Sequence, residues 1–155
     1  MSGDVTWFDG LKSHGKTLST AESCTGGGLA QAITAISGAS SVYCGGVVSY
    51  WSEVKASVLG VSQELLDAQG AVCADVAKAM ATGVQHLTGS DYALSTTGVA
   101  GPDKDDRGND VGLVFIALAT PEGVAVKECR FGNLSRHEIQ QKAIETALNW
   151  LGDML

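Results

Sequence analysis

The chain is short of basic residues. Ten lysines and arginines stand against 17 aspartates and glutamates, for a net charge of −7 and an isoelectric point near 4.7. That balance disfavours nucleic acid, whose phosphates require a basic footprint, and an anionic membrane surface. Long apolar runs are missing too. No stretch approaches the roughly 18 residues of a membrane helix, and the N-terminus carries no apolar signal-peptide core. The four cysteines, Cys24, Cys44, Cys73 and Cys129, form no C-x-x-C pair. A disulfide frame and a zinc site are therefore not expected, and reduced thiols of a cytoplasmic protein are. The three histidines are equally scattered, so the sequence offers neither a metal site nor any other cofactor site. With only 2 prolines, 20 glycines and 45% apolar residues, the composition fits an ordered α/β protein rather than a disordered one. At 155 residues it makes one domain, 1–155, long enough to bury roughly two thirds of its unfolded surface.

What is present is a regular alternation of strand and helix signals. Asp4 to Ser13 reads as a short helix, with Val5, Phe8 and Leu11 on one side. Thr17–Ala21 reads as a strand, and Gly26–Ile36 as a helix with Leu29, Ile33 and Ile36 at i, i+4 and i+7. Gly46–Tyr50 is a second strand and Lys55–Leu59 a helical turn. Ser62 caps a helix to Gln69, which Gly70 ends. Cys73 takes an N-cap position before a longer helix whose buried side carries Val76, Met80, Val84 and Leu87. Asp91–Thr96 is a third strand. Val111–Ala119 and Val124–Phe131 form an antiparallel hairpin through Thr120-Pro-Glu-Gly123, a turn with Pro at i+1 and Gly at i+3. Ser135 and Glu138 form a capping box at the last helix, whose core face carries Ile139, Ala143, Ala147 and Trp150. Three β-then-α units, a hairpin and a helix predict a three-layer α/β/α sandwich with a mixed, mostly parallel sheet. Asp103–Asp110 is the one charged segment and reads as a mobile loop.

Three segments should meet at one edge of that sheet, because parallel strands bring their C-terminal ends to the same side, where open α/β sheets bind ligands. They are Glu22–Gly27, Tyr50–Lys55 and Thr97–Pro102. The first, Glu22-Ser-Cys-Thr-Gly-Gly27, joins a strand to a helix, and its backbone amides at the helix start are expected to open into a cleft. Ser23 needs a base to act as a nucleophile. With no histidine near these strand ends, a buried Lys55 of lowered pKa is the substitute, the alternative being an ordinary surface lysine. Tyr50 serves as a wall or proton relay, or packs in the core. Glu22 orients neighbouring groups, or bonds loop amides. Cys24 is a second nucleophile candidate, since a helix N-terminus favours a thiolate. Gly26 and Gly27 allow close backbone approach. Thr97-Gly98-Val99-Ala100-Gly101-Pro102 supplies a second backbone wall or merely a tight turn. Arg136, in the first helical turn, opposes the dipole there unless an anion binds nearby.

These pieces, in this order and spacing, resemble one family: the C-terminal domain of CinA proteins, which also occurs alone as the nicotinamide-nucleotide amidase. The resemblance rests on Thr20-Ala-Glu-Ser-Cys-Thr-Gly-Gly27, Gly45–Tyr50 with Lys55 and Leu59-Gly-Val61, Gly70-Ala-Val72, and Thr97-Gly-Val-Ala-Gly-Pro102 followed by Val111-Gly112. The chain resembles the stand-alone form. The resemblance implies hydrolysis of the carboxamide of nicotinamide mononucleotide by a Ser–Lys amidase that uses no metal, works on a small nucleotide and forms a homodimer. It implies Ser23 as nucleophile, Lys55 as its base and Tyr50 assisting. Glu22, Cys24, Thr25, Gly26, Gly27, Thr97, Gly98, Gly101 and Arg136 make up the implied substrate-binding set. The sequence departs from the family's usual pattern at Trp51-Ser52, Cys73, Asn109-Asp110 and Gln140. Those departures bear on the ligand shell and leave the Ser–Lys pair in place. They also motivate the alternative of a nucleotide-binding or regulatory module without turnover.

Overall fold

Strict alternation along the strands sorts the core into two halves. The computed structural model describes residues 4–155. In order, the elements are α1 (Thr6–His14), β1 (Leu18–Glu22), α2 (Gly28–Thr34), β2 (Tyr43–Val48), α3 (Ser52–Leu59), α4 (Gln63–Gln69), α5 (Ala74–Thr88), β3 (Tyr92–Gly98), β4 (Leu113–Thr120), β5 (Gly123–Arg130) and α6 (Arg136–Met154). Successive side chains of a strand point to opposite faces. In β4, Val114, Ile116 and Leu118 therefore pack with Leu11 of α1, Ile33 of α2 and Ile139 of α6. Its intervening residues, Leu113, Phe115, Ala117 and Ala119, pack with Leu59 of α3, Leu66 of α4 and Met80 of α5. The result is the three-layer α/β/α sandwich: α1, α2 and α6 on one face, α3, α4 and α5 on the other.

The five strands are ordered β2-β1-β3-β4-β5. β1 pairs in parallel with β2 and β3, while β3–β4 and β4–β5 are antiparallel. The sheet is mixed, and four of its five strands point the same way. β4 and β5 are the hairpin read from the sequence, closed where Thr120 pairs with Gly123. Only two β-then-α units form, however. β3 passes through 99–112 straight into β4, because that segment holds three glycines, a proline and four aspartates and has no apolar period to build a helix.

Buried hydroxyls fix the central strands in place. Ser19 bonds Ser90 (2.7 Å), Thr20 bonds the Tyr43 hydroxyl (2.6 Å), Ser95 donates to the Ala77 carbonyl (2.6 Å) and Thr97 to the Ala71 carbonyl (2.7 Å). No buried side-chain nitrogen or oxygen among the described residues lacks a partner. The predicted caps form as well: Ser62 and Cys73 accept from Leu65 N and Val76 N, and the Ser135–Glu138 capping box is complete. Two core assignments differ. Val5 sits at the N-cap of α1 and is exposed, and Trp7, 2% exposed, takes its place beside Phe8 and Leu11. Leu87 lies in the last turn of α5 beside Leu59 and Gly60 and is 56% exposed.

Candidate active site

The nucleophile candidate is placed by the alternation that builds the core. Glu22 ends β1 with its side chain toward α2, so Ser23, the next residue, presents its hydroxyl toward α3. On α3, Lys55 and Leu59 are i, i+4 neighbours and the helix's two buried residues. Lys55 thus holds a core-facing position in the first turn, with no exposed surface at all. Its Nζ donates to Ser23 Oγ at 2.9 Å, to the Ser49 carbonyl at 2.6 Å and to the Tyr50 carbonyl at 3.4 Å. Three acceptors saturate an ammonium. Yet none of them is charged: the two ion pairs among the described residues are both exposed and elsewhere. Burial without a counter-charge brings the Lys55 pKa from the ordinary 10.5 down to about 8. A lysine so placed is neutral in a useful fraction of molecules near neutral pH. Its lone pair then lies within general-base reach of the Ser23 proton.

Ser49 completes this arrangement and was not singled out in the sequence. Fully buried, it donates its amide to the Glu22 carbonyl (2.7 Å) while its own carbonyl accepts from Lys55. Its position one residue before Tyr50, at the end of β2, is the only sequence signal it carries.

A cavity of about 310 Å³ opens over the pair. It lies at the small end of the range for small-molecule sites, roughly 300–1,000 Å³. Ser23, Cys24, Tyr50, Lys55, Thr97, Gly98, Gly101 and Arg136 all line it, so the structure brings the three predicted segments together. Ala71, Val72, Asp103 and Asp105 line it as well. Arg136 spans the mouth: Nη1 donates to the Gly101 carbonyl at 2.5 Å and Nη2 to the Tyr50 hydroxyl at 2.7 Å. Tyr50 is 55% exposed, which removes the core-packing alternative.

Four residues of the predicted binding set fall outside this lining. Glu22, 1% exposed, accepts from Leu29 N (2.7 Å) and Ala30 N (3.0 Å), so its carboxylate occupies the start of α2 as an internal anion. Thr25 donates to Glu22 (2.6 Å) and bonds Thr96 (2.8 Å). Gly26 and Gly27 adopt left-handed backbone, φ 58° and 99°, to turn the chain into α2. The helix start therefore does not open into the cleft, because Glu22 has taken the amides that were expected to. Among the residues that line the cavity, Cys24, Ala100 and Gly101 are three whose amides donate to no other described residue. Donors of this kind can polarise a carbonyl.

Cys24 is 5% exposed, and burial pushes its thiol up to about 12. That is the reverse of the thiolate that a helix N-terminus favours. Gln140 donates to the Cys24 carbonyl at 3.1 Å, tying the Ser23 turn to α6. The 103–110 segment is a built loop rather than a free one. Asp105 accepts from Arg107 N, Asn109 N and Asn109 Nδ2, and Arg107 grips the end of α4. No group of acidic, cysteine and histidine side chains suited to a metal occurs among the described residues.

Comparison with known proteins agrees with this architecture. The model of the CinA C-terminal domain matches residues 4–155. A CinA-like protein of Geobacter sulfurreducens is 47% identical over 141 residues, covering 91% of this chain and 34% of its own length. A CinA-like protein of Synechococcus sp. (strain CC9311) is 56% identical over 122 residues, covering 79% of this chain and 29% of its own. The chain thus spans about a third of the curated relatives it matches. Among solved structures, a CinA superfamily protein from Klebsiella pneumoniae superposes with TM-score 0.93 at 33% identity, covering 96% of this chain and 92% of that one. The competence/damage inducible protein CihA from Agrobacterium tumefaciens gives TM-score 0.89 at 38% identity, covering 95% and 88%. By sequence over its described length and by fold, the chain belongs to the CinA C-terminal domain family.

Proposed function

We propose that this protein is an amidohydrolase of the Ser–Lys type that converts nicotinamide mononucleotide to nicotinic acid mononucleotide and ammonia. The observation that carries this reading is the fully buried Lys55 Nζ, 2.9 Å from Ser23 Oγ, with no carboxylate partner. Neutral Lys55 takes the Ser23 proton as Oγ attacks the carboxamide carbon. The oxygen of the tetrahedral intermediate is held by cavity amides such as that of Cys24. The C–N bond then breaks, the proton held on Lys55 passes to the departing nitrogen, and ammonia leaves. Water, deprotonated by the same lysine, hydrolyses the ester on Ser23, releasing the acid and restoring the hydroxyl. Tyr50 and Arg136, joined across the mouth, form the wall against which the substrate is positioned. The substrate and the homodimer follow from the family resemblance, and the cytoplasmic setting from the unpaired cysteines. No helix among the described residues is long and apolar enough to cross a membrane.

Incubating the purified protein with nicotinamide mononucleotide and following ammonia tests this reading. One ammonia per acid formed is expected. A folded protein that binds the nucleotide by calorimetry and releases no ammonia is instead the regulatory module that the altered Trp51-Ser52 and Asn109-Asp110 segments suggest. The pH profile carries its own signature. Because the working form of Lys55 is the neutral one, kcat/KM rises with pH, roughly tenfold per unit below the lysine pKa, and levels off above about 8. A profile flat from pH 6 to 9 would show that no such base titrates.

A further inference from the structure

Helix α4 ends at Gln69, and Ala71 and Val72 just beyond it form one wall of the cavity. The last carbonyls of a helix have no partner within it and carry the negative end of its dipole. Here they are met from another part of the chain. Arg107 Nη1 donates to the Ala68 carbonyl at 3.0 Å, and Nη2 to the Asp67 carbonyl at 2.7 Å, with a longer contact to the Leu66 carbonyl at 3.5 Å. The approach is close. A Cβ at Gly70, where φ is +77°, would lie 3.1 Å from Arg107 Nε.

The other end of this connection is equally fixed. Asp105 accepts from the amides of Arg107 (3.1 Å) and Asn109 (2.7 Å) and from the Asn109 side chain (2.8 Å), folding the loop around its own base. The same loop brings Asp103 and Asp105 to the cavity that Arg136 also lines. Both Asp105 oxygens are engaged within the loop. Asp103 makes no hydrogen bond to another described residue and no ion pair, so its carboxylate is the open acceptor on that wall.

We propose that Arg107 is a positioning residue for substrate binding. Its guanidinium straps the 103–110 loop to the end of α4 and so fixes the Ala71–Val72 and Asp103–Asp105 walls at one spacing, presenting Asp103 to a hydroxyl or cationic group of the substrate. The planar fork of arginine suits this role, because it reaches several carbonyls at once where a lysine reaches one. The strap acts on affinity rather than on the chemical step. Lys55 and Ser23 hang on α3 and β1, which Arg107 does not touch.

The substrate part of the inference rests on the amidase reading, so its test has one arm that needs no turnover. In hydrogen exchange, Arg107→Ala should quicken exchange at both 70–72 and 99–110 while the sheet stays protected. In kinetics with nicotinamide mononucleotide, Arg107→Ala should raise KM by on the order of tenfold with kcat held within about threefold, Arg107→Lys falling between. Asp103→Ala should raise KM comparably while leaving the exchange pattern as in the wild type. Exchange that quickens in the loop alone, with 70–72 still protected, overturns the strap. An unchanged KM in Arg107→Ala, or a fall in kcat at constant KM, overturns the positioning role. A wild-type protein that releases no ammonia overturns the amidase reading, and the exchange arm still decides the strap.

Discussion

Lys55→Met should abolish turnover, and Lys55→Arg should fail equally. Removing a general base loses about a hundred- to ten-thousandfold in rate. Methionine fills much of the same volume without a proton acceptor. Arginine keeps the charge but does not release a proton near neutral pH, so a role limited to holding an anion predicts rescue by arginine and the base role does not. The same substitution has a second, independent readout. In the folded protein the Lys55 pKa is about 8, against 10.5 for an ordinary lysine. Between those values the unfolded chain holds the proton and the folded chain does not, so stability from this group rises with pH through that window. Below pH 8 both states are protonated and the burial cost stands in full. The difference is about 3 kcal/mol across the window. Wild-type stability, measured by denaturant titration from pH 7 to 10, should therefore gain relative to Lys55→Met by an amount of that order. Parallel curves for the two proteins would mean that the lysine is not desolvated.

Glu22→Ala should produce the largest loss of stability of any change near the site. The buried carboxylate accepts from the amides of Leu29 and Ala30 and from the hydroxyl of Thr25. Its removal leaves the two α2 amides without that partner and opens a void, while Thr25 keeps its bond to Thr96; the loss is about 3 kcal/mol, or a fall of roughly 6–12 °C in Tm for a domain of this size. Turnover should drop as well, since the turn from Ser23 to Gly27 loses the group that anchors it to α2. Scanning calorimetry decides the point. A Tm within a degree of the wild type would show that the α2 amides find other partners.

The parts of this protein legible in its sequence are those with local causes. The capping box at Ser135, the Cys73 cap, the two-residue hairpin turn and the apolar run of β4 each depend on residues a few positions apart, and each forms as read. The meeting of Ser23 and Lys55 was legible only through topology, because parallel strands deliver their ends to one edge. The failures share a cause. Which way Glu22 pointed depended on β1 facing α2 on one side and α3 on the other, which no short pattern encodes. The 99–112 segment looked loose because it is polar and glycine-rich, and its order comes from Arg107 reaching carbonyls about 40 positions away. Leu87 fitted the apolar period of α5 but stands in its last turn, and periodicity does not say where a helix stops being covered. Of the family-derived site residues, Ser23, Cys24, Tyr50, Lys55, Thr97, Gly98, Gly101 and Arg136 reach the cavity. Glu22 and Thr25, outside it, hold the turn in place.

If Ser23 Oγ carries the acyl group during turnover, it can be trapped there. Wild-type protein is quenched in acid while turning over nicotinamide mononucleotide, and the peptide spanning the turn is read by tandem mass spectrometry. An ester of the nicotinate carbonyl is expected on Ser23, absent from Ser23→Ala, with Cys24 unmodified. Acylation of Cys24, or undiminished turnover by Ser23→Ala, would contradict that expectation.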